Sequence, residues 1–525
     1  MILLGWPNRL PGIVRNLLVS EQRVKRFLRR LGARRLRLVL LVDEVSPQHT
    51  AELRAHLGRN WSSRDIILRS GTALRLDHLQ RVDYLRSASI IVPAGDRSTG
   101  QSASQSDNAA IKTLLAISHS MRLAAPGRTP PLLVAELYDA RKLPVALHSY
   151  SGPVEVVAGD EVVSRMIAQM VRHPHISRVF RELLTPCSGN EIFARDCPAH
   201  LTGTPFWALA ESWPEAILIG LTRPADAGVR PLLDPPADTV LQAGDKVVYV
   251  ARDWADGATE VRPSPPTWPG PESRPKPRTY SGRKVLVLGW SRRVPALLAE
   301  FESYTQQEFE VVIASRMDRA QRDWEIADYG LPLARVKVQQ LESDYTIPER
   351  LLAVNPASFD TVLVLASDVA ESDEEADART LVAHAVLREI LPKTGPRPRV
   401  LLELLDELNA ALVAADDCEY LLSPHILNHI LVQVALRREL NAVFQELFNS
   451  GETEIGFRDP ADYGLAEGTW RFAELQTKAR RFGDVALGVF MVDEINTVRG
   501  GIHLNPPRNS PWPLAAKDRL VVLSR

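Results

Sequence analysis

Ile2-Leu3-Leu4-Gly5-Trp6 opens the chain, and Leu286-Val287-Leu288-Gly289-Trp290 repeats its pattern just past the middle of the 525 residues. Each is an apolar run that ends in Gly-Trp. Each is followed by a basic residue, a proline and an apolar helical pattern, beginning at Arg9 and at Arg293. Five further pairs keep the same order. Residues 89–96 resemble 360–368, and Ser104-Gln105-Ser106-Asp107 resembles Glu374-Glu375-Ala376-Asp377. LLVAELYD at 132–139 resembles VLLELLDE at 400–407, and Gln169 and Phe180 answer Gln433 and Phe444. Last, Ala243-Gly244-Asp245 answers Ala516-Lys517-Asp518. Six ordered matches with a shift that stays between 264 (433 minus 169) and 284 (286 minus 2) establish an internal duplication.

Within the first copy, strand patterns at 2–5, 36–42, 65–69, 89–92 and 132–136 alternate with helical stretches such as 51–57 and 108–119. Strands separated by helical crossovers of that length make a parallel, doubly wound sheet. A helix near 161–171 then leads into a mostly β segment at 191–252, with turn signals at Asp234-Pro235-Pro236 and Ala243-Gly244-Asp245. The expected fold is therefore α/β: two tandem Rossmann-like parallel-sheet lobes, each followed by a helical connection and a small β-rich lobe. The expected boundaries are 1–150 and 151–253 for the first copy and 283–415 and 416–525 for the second. Between them, 254–282 is a proline-rich spacer, with prolines at 263, 265, 266, 269, 271, 275 and 277.

Bulk composition narrows the function by exclusion. With 63 basic against 64 acidic side chains there is no global field to draw in nucleic acid, so no nucleic-acid partner is expected. Three cysteines in a chain of this size make no disulfide framework and favour a reducing compartment. No apolar run reaches the length of about eighteen residues that spans a bilayer.

The ordered motifs resemble a known family. The duplicated Gly-Trp strand, Arg69-Ser70-Gly71, Ser104-Gln105-Ser106-Asp107, Val134-Ala135-Glu136-Leu137, Gly159-Asp160-Glu161-Val162-Val163 and Leu241-Gln242-Ala243-Gly244-Asp245-Lys246-Val247 are similar to the cytoplasmic region of CASTOR/POLLUX-type ion channels. In the second half, residues 373–379 and Val443-Phe444-Gln445-Glu446-Leu447 fit the same region. The resemblance implies two RCK-type domains (regulators of K⁺ conductance), assembling in the family as a tetrameric ring that gates a cation pore. It implies a homo-oligomer at the inner face of a membrane. In a complete member the membrane-spanning segment precedes the first strand, and Met1 sits inside that strand, so a pore segment is expected upstream or in trans.

The nucleotide chemistry of such lobes is reduced here. Dinucleotide binding needs Gly-x-Gly-x-x-Gly after the first strand, so that backbone amides approach the pyrophosphate. The turns read Gly5-Trp6-Pro7-Asn8-Arg9 and Gly289-Trp290-Ser291-Arg292-Arg293, which keep only the first glycine. NAD is not expected in the standard mode. Gly5, Trp6, Arg9, Asp43, Gly289, Trp290 and Arg293 are nonetheless the candidate nucleotide or phosphate contacts: arginines can hold a phosphate, and Asp43 ends the second strand where an acid can meet a ribose. The alternative function is thus a nucleotide-responsive regulator acting in trans, or a degenerate NAD-binding oxidoreductase.

The acidic run Asp368-Val369-Ala370-Glu371-Ser372-Asp373-Glu374-Glu375-Ala376-Asp377 follows an apolar strand at its carboxyl end. Hard cations take six to eight oxygens, so Asp368, Glu371, Asp373, Glu374 and Asp377 are candidate Ca²⁺ ligands. Acids in the first turn of a helix also complement its dipole without any metal. His173, His175, His200, Cys187 and Cys197 match no common zinc spacing. No catalytic motif is present, and no enzymatic role is expected. The helices near 162–171 and 426–436 are apolar around most of their circumference and are the expected surfaces of self-association.

Overall fold

The computed structural model describes residues 1–95, 102–124, 129–184, 189–210, 213–225, 228–236, 239–257, 282–330, 332–413, 418–449, 453–497 and 500–525. Cys187, part of the loop at 94–107 and residues 258–281 of the proline-rich spacer lie outside the described residues.

The first lobe is a six-stranded parallel sheet built from β1 (Ile2–Leu4), β2 (Leu38–Val42), β3 (Ile66–Ser70), β4 (Ser89–Val92), β5 (Leu132–Leu137) and β6 (Val154–Ala158), in the order β3-β2-β1-β4-β5-β6. The next four strands, β7 (Glu191–Asp196), β8 (Ala216–Ala225), β9 (Gly228–Leu233) and β10 (Lys246–Ala251), form an antiparallel sheet in the order β7-β10-β8-β9. The second copy repeats both. Strands β11 (Arg283–Leu288), β12 (Phe309–Ser315), β13 (Val336–Glu342), β14 (Thr361–Val364), β15 (Arg399–Leu404) and β16 (Glu419–Leu422) take the order β13-β12-β11-β14-β15-β16. Then β17 (Glu454–Arg458), β18 (Gly468–Arg471), β19 (Val485–Phe490), β20 (Ile502–Leu504), β21 (Pro511–Leu514) and β22 (Arg519–Ser524) give a sheet β17-β22-β19-β20 and a separate β18-β21 pair.

Gly5 and Gly289 hold the same place in the two parallel sheets, as the duplication requires. Each donates its amide to the neighbouring strand at 2.9 Å, to Leu41 O and to Ala314 O. Each has a positive φ, +92° and +100°, which glycine adopts without the Cβ penalty. The small sheets match in detail too. Register shifts occur between Val248 and Tyr249 and between Ala486 and Gly488. Beside them, Gly220 and Gly488 let the hairpin partner strand approach so closely that a Cβ would meet a carbonyl oxygen at 2.5 Å and 2.1 Å.

The sixth strands, β6 and β16, carry each parallel sheet to residues 158 and 422, beyond the expected ends at 150 and 415. Chain contacts sort the lobes by kind rather than by copy. One compact unit joins residues 1–168 with 281–441 and holds both parallel sheets, while the other joins 169–280 with 442–525 and holds both antiparallel sheets. Each parallel sheet has its own apolar core, around Ile90, Leu114, Ile117 and Leu133 in the first and Leu286, Val362, Ala383 and Leu402 in the second.

The connecting helices are not outward surfaces. In Ser423–Leu436 every residue from Ile426 to Leu436 is buried, because the helix packs against the helix Leu10–Val19 and across β4, β5 and β6 of the other copy's sheet. Its counterpart Gly159–Arg172 buries Val162, Val163, Met166, Ile167 and Ala168. An all-round apolar helix is consumed inside the chain, which corrects the expectation that 162–171 and 426–436 face other copies.

Candidate functional site

In open α/β sheets ligands bind outside the carboxyl ends of the strands, where the strand order reverses. Here that place is filled by the chain's own charges, and in the same way twice. Arg9, at the start of the helix Leu10–Val19, forms an ion pair with Glu136 of β5. Arg293, at the start of the helix Arg293–Ser303, pairs with Glu403 of β15. Both carboxylates are buried, at 1% and 0% exposure. Each also accepts an amide just past the fourth strand: Ala94 N at 3.0 Å on the same Glu136 Oε2 that Arg9 meets, and Ala366 N at 3.3 Å on Glu403 Oε2, the oxygen that Arg293 leaves. A third element repeats as well. Asp107 accepts from Tyr138 N at 2.8 Å and Asp139 N at 3.2 Å, and Asp377 from Leu405 N at 2.8 Å and Asp406 N at 2.9 Å. Burial pushes both aspartates above the usual carboxylate range, against the lowering effect of these donors.

The two lobes are joined through the same turns. Ser164 donates to Arg293 O at 3.1 Å, and Asn428 donates to Arg9 O at 3.4 Å. These residues are 264 apart (428 minus 164), so each copy's connecting helix caps the other copy's first turn by one equivalent bond. One contact is not repeated. Asp160 accepts from Arg292 Nε at 2.7 Å and Arg293 Nε at 2.9 Å, whereas Pro424 stands at its counterpart. Arg292 lies 3.9 Å from the Tyr138 ring centre and also meets Asp368, through its amide at 2.7 Å and its guanidinium at 3.3 Å. Burial alone would lower the Arg292 pKa; Asp160 and Asp368 outweigh it and hold the guanidinium charged above its ordinary range. Buried pairs of this kind fix geometry more than they add stability, because desolvation offsets most of the attraction.

The remaining candidate residues take ordinary places. Trp6 packs on His49 with ring centres 4.2 Å apart. Trp290 is fully buried and donates from Nε1 to Glu325 at 2.8 Å. Asp43 is exposed in the turn after β2. A phosphate at either first turn would have to displace a guanidinium–carboxylate pair, which weighs against the nucleotide reading.

The five expected Ca²⁺ ligands are not brought together. Asp368 is held by Arg292, and Asp377 is buried on strand-end amides and on Asn409 Nδ2 at 2.8 Å. Ser372 caps the helix Asp373–Ile390 by accepting from Glu375 N at 3.1 Å, and Glu375 in turn accepts from Glu371 N at 2.7 Å. Asp373 accepts from Asn8 at 3.4 Å, and with Glu374 it lies in the first helical turn, where acids complement the dipole. Among the described residues no three His, Cys, Asp or Glu side chains are grouped to hold a metal ion. The run is thus divided among the Arg292 pair, the strand-end amides and the first turn of the helix Asp373–Ile390.

Sequence reasoning missed Glu136, Glu403, Ser164, Asn428 and Asp160. The signal was available for four of them: an acid in the middle of an apolar strand at matching positions of both copies, and polar residues at the 264 shift inside helices that are otherwise apolar.

Comparison with known proteins follows the same line. Residues 160–264 match a family described as Castor and Pollux, part of voltage-gated ion channel. The chain is 25% identical to "Ion channel CASTOR" of Lotus japonicus, with all of the chain and 62% of that protein covered. It is 23% identical to "Probable ion channel POLLUX" of Oryza sativa subsp. japonica, with all of the chain and 55% of that protein covered. The chain thus spans little more than half the length of these relatives. Among solved structures, the human SLO3 gating ring matches with a TM-score of 0.68 at 14% identity, covering 93% of this chain and 94% of that one. That likeness shows the fold.

Proposed function

We propose that this chain, similar along its full length to the CASTOR and POLLUX ion channels, is a cytoplasmic gating module that regulates a cation pore permeable to K⁺ or Ca²⁺. The full-length similarity carries the reading. The lobe geometry supports it. Because each connecting helix caps the other copy's first turn, a ligand that prefers one arrangement of these turns moves both lobes together, which is the differential binding that gating needs. Ca²⁺ remains in the proposal as a regulating ligand on the resemblance alone. No catalytic role is proposed.

Self-association as a tetrameric ring belongs to the same proposal, with a different surface from the connecting helices. Leu408 and Leu412 on the helix Glu407–Val413 are 78% and 68% exposed, and Val145 and Leu147 on Leu143–His148 are 58% and 45% exposed. Val145 and Leu412 occupy corresponding positions, 267 apart, the shift that also relates Glu136 to Glu403. Outward apolar residues at equivalent places of two lobes suit contacts repeated around a ring. Light scattering after size exclusion tests this. The expected mass is four times 58.3 kDa, falling when Leu408 and Leu412 are changed to Asp. A monomeric mass at high concentration would overturn the ring.

A further inference from the structure

The first lobe carries an element that the second does without. Between the helix Leu10–Val19 and β2 lie eighteen residues, 20–37, whereas five, 304–308, join the helix Arg293–Ser303 to β12. The second sheet closes with the short connection, so the fold does not need the long one. The extra residues form the helix Glu21–Arg30 and an exposed loop. Residues 21–37 hold eight cationic side chains, Arg23, Lys25, Arg26, Arg29, Arg30, Arg34, Arg35 and Arg37, against Glu21, a net charge of +7 in a chain whose total is −1. Asp65 pairs with Arg35 and brings the local sum to +6.

Most of that charge faces outward. Lys25, Arg29, Arg30, Arg34, Arg35 and Arg37 are exposed, while Phe27 turns inward at 7% exposure and Arg23 is buried. Arg30 also donates to Leu436 O, which sets Arg437 and Arg438 beside the patch. Glu439 and Glu155 pair with those two. At the end of the helix, Leu31 stands 51% exposed between arginines and is followed by Gly32 and Ala33.

We propose that this inserted segment docks on an anionic phospholipid surface. Clustered Lys and Arg on an amphipathic helix gain attraction from acidic headgroups, and an apolar side chain at the tip enters the interface beneath them. Single-stranded nucleic acid fits less well, because its binding sites interleave basic side chains with exposed aromatic rings on which bases stack. Residues 21–37 have one aromatic ring, Phe27, and it is buried. The inference rests on this segment's charge and exposure, not on the gating reading.

Co-sedimentation of the full chain with vesicles tests it, using phosphatidylcholine alone and phosphatidylcholine mixed two to one with phosphatidylserine. Binding is expected to the mixed vesicles only, and to fall steeply as salt is raised to roughly 0.5 M. Each surface Lys or Arg contributes about a five-fold factor in partition. The variant Lys25→Gln, Arg29→Gln, Arg34→Gln is therefore expected to bind about a hundredfold more weakly, with unchanged thermal melting. Should it not melt like the parent, the salt dependence of the unaltered chain decides. Equal sedimentation with neutral vesicles, salt-insensitive binding, a folded variant that binds like the parent, or preferential capture of a single-stranded RNA homopolymer would each overturn the proposal.

Discussion

Replacing Gly159 by Ser should stabilise the protein, because the duplication shows what is missing there. In the second copy Ser423 opens the connecting helix and its hydroxyl donates to Glu403 Oε1 at 2.7 Å. In the first copy Gly159 stands at the equivalent place, 264 residues earlier, and the buried Glu136 Oε1 has no hydrogen-bond partner. The backbone tolerates a side chain, since Gly159 is not among the positive-φ glycines. A Cβ there would lie 3.2 Å from Glu136 Oε1 and 3.4 Å from Leu427 Cδ1, so Glu136 must give by a few tenths of an ångström. A hydrogen bond to a charged group adds about 1.5 kcal/mol at the lower end of its range. Loss of glycine freedom in the unfolded chain adds about 0.5 kcal/mol, and crowding removes about as much or somewhat more. The net gain is about 1–1.5 kcal/mol, a rise of about 1–2 °C in Tm for a body of this size. Gly159→Ala is the control, since it adds the same Cβ without the hydroxyl. Calorimetric melting in which the Gly159→Ser chain proves no more stable than the Gly159→Ala chain would refute the reasoning.

Other consequences follow from the same contacts. Arg293→Gln removes the guanidinium shared by buried Glu403 and Asp160 and should cost about 3–5 kcal/mol, read from urea unfolding. The triple change Asp368→Asn, Asp373→Asn, Asp377→Asn should lower Tm in the absence of Ca²⁺, because Asp377 ties two strand-end amides, and should leave any Ca²⁺ heat in calorimetry unchanged; loss of that heat would return the acidic run to a metal site. Stability should fall on acidification. Burial holds His429 and His173 well below and below their ordinary value of 6.5, so the unfolded chain takes up protons that the folded one refuses, and stability is lost as pH drops below about 6.5. The raised Asp107 and Asp377 act in the opposite sense but at lower pH. A Tm that stays flat between about pH 7.5 and 5.5 would contradict the histidine account.

The duplication, the order of elements and the place of Gly5 and Gly289 were legible because repetition samples the same pattern twice. The sixth strands were not. β6 begins after Ser151-Gly152-Pro153 and is interrupted by Glu155, and β16 has only four residues, three of them polar or half-buried, so neither gives a strong period. Sorting of lobes by kind was also hidden, since an all-round apolar helix shows that it will be buried but not against what. At the site, the sequence offered the arginines of the first turns as phosphate contacts, whereas the structure holds them in ion pairs with buried glutamates. Spacing did not reveal that Glu136 and Glu403 answer them, because a glutamate within LLVAEL or VLLELL is indistinguishable by period from an edge residue. The acidic run looked like a ligand set because composition carries no direction; the helix that begins at Asp373 turns Asp377 inward and leaves Glu371 and Glu374 outside.

The most direct test of the central claim is electrical. The chain is grafted onto the pore helices of a CASTOR-type channel in place of that channel's own matching region, and single-channel currents are recorded. The account predicts cation currents whose open probability changes when Arg293→Gln breaks the contact between the lobes. Currents of equal open probability with the intact chain, with the Arg293→Gln chain and with the chain deleted would contradict it.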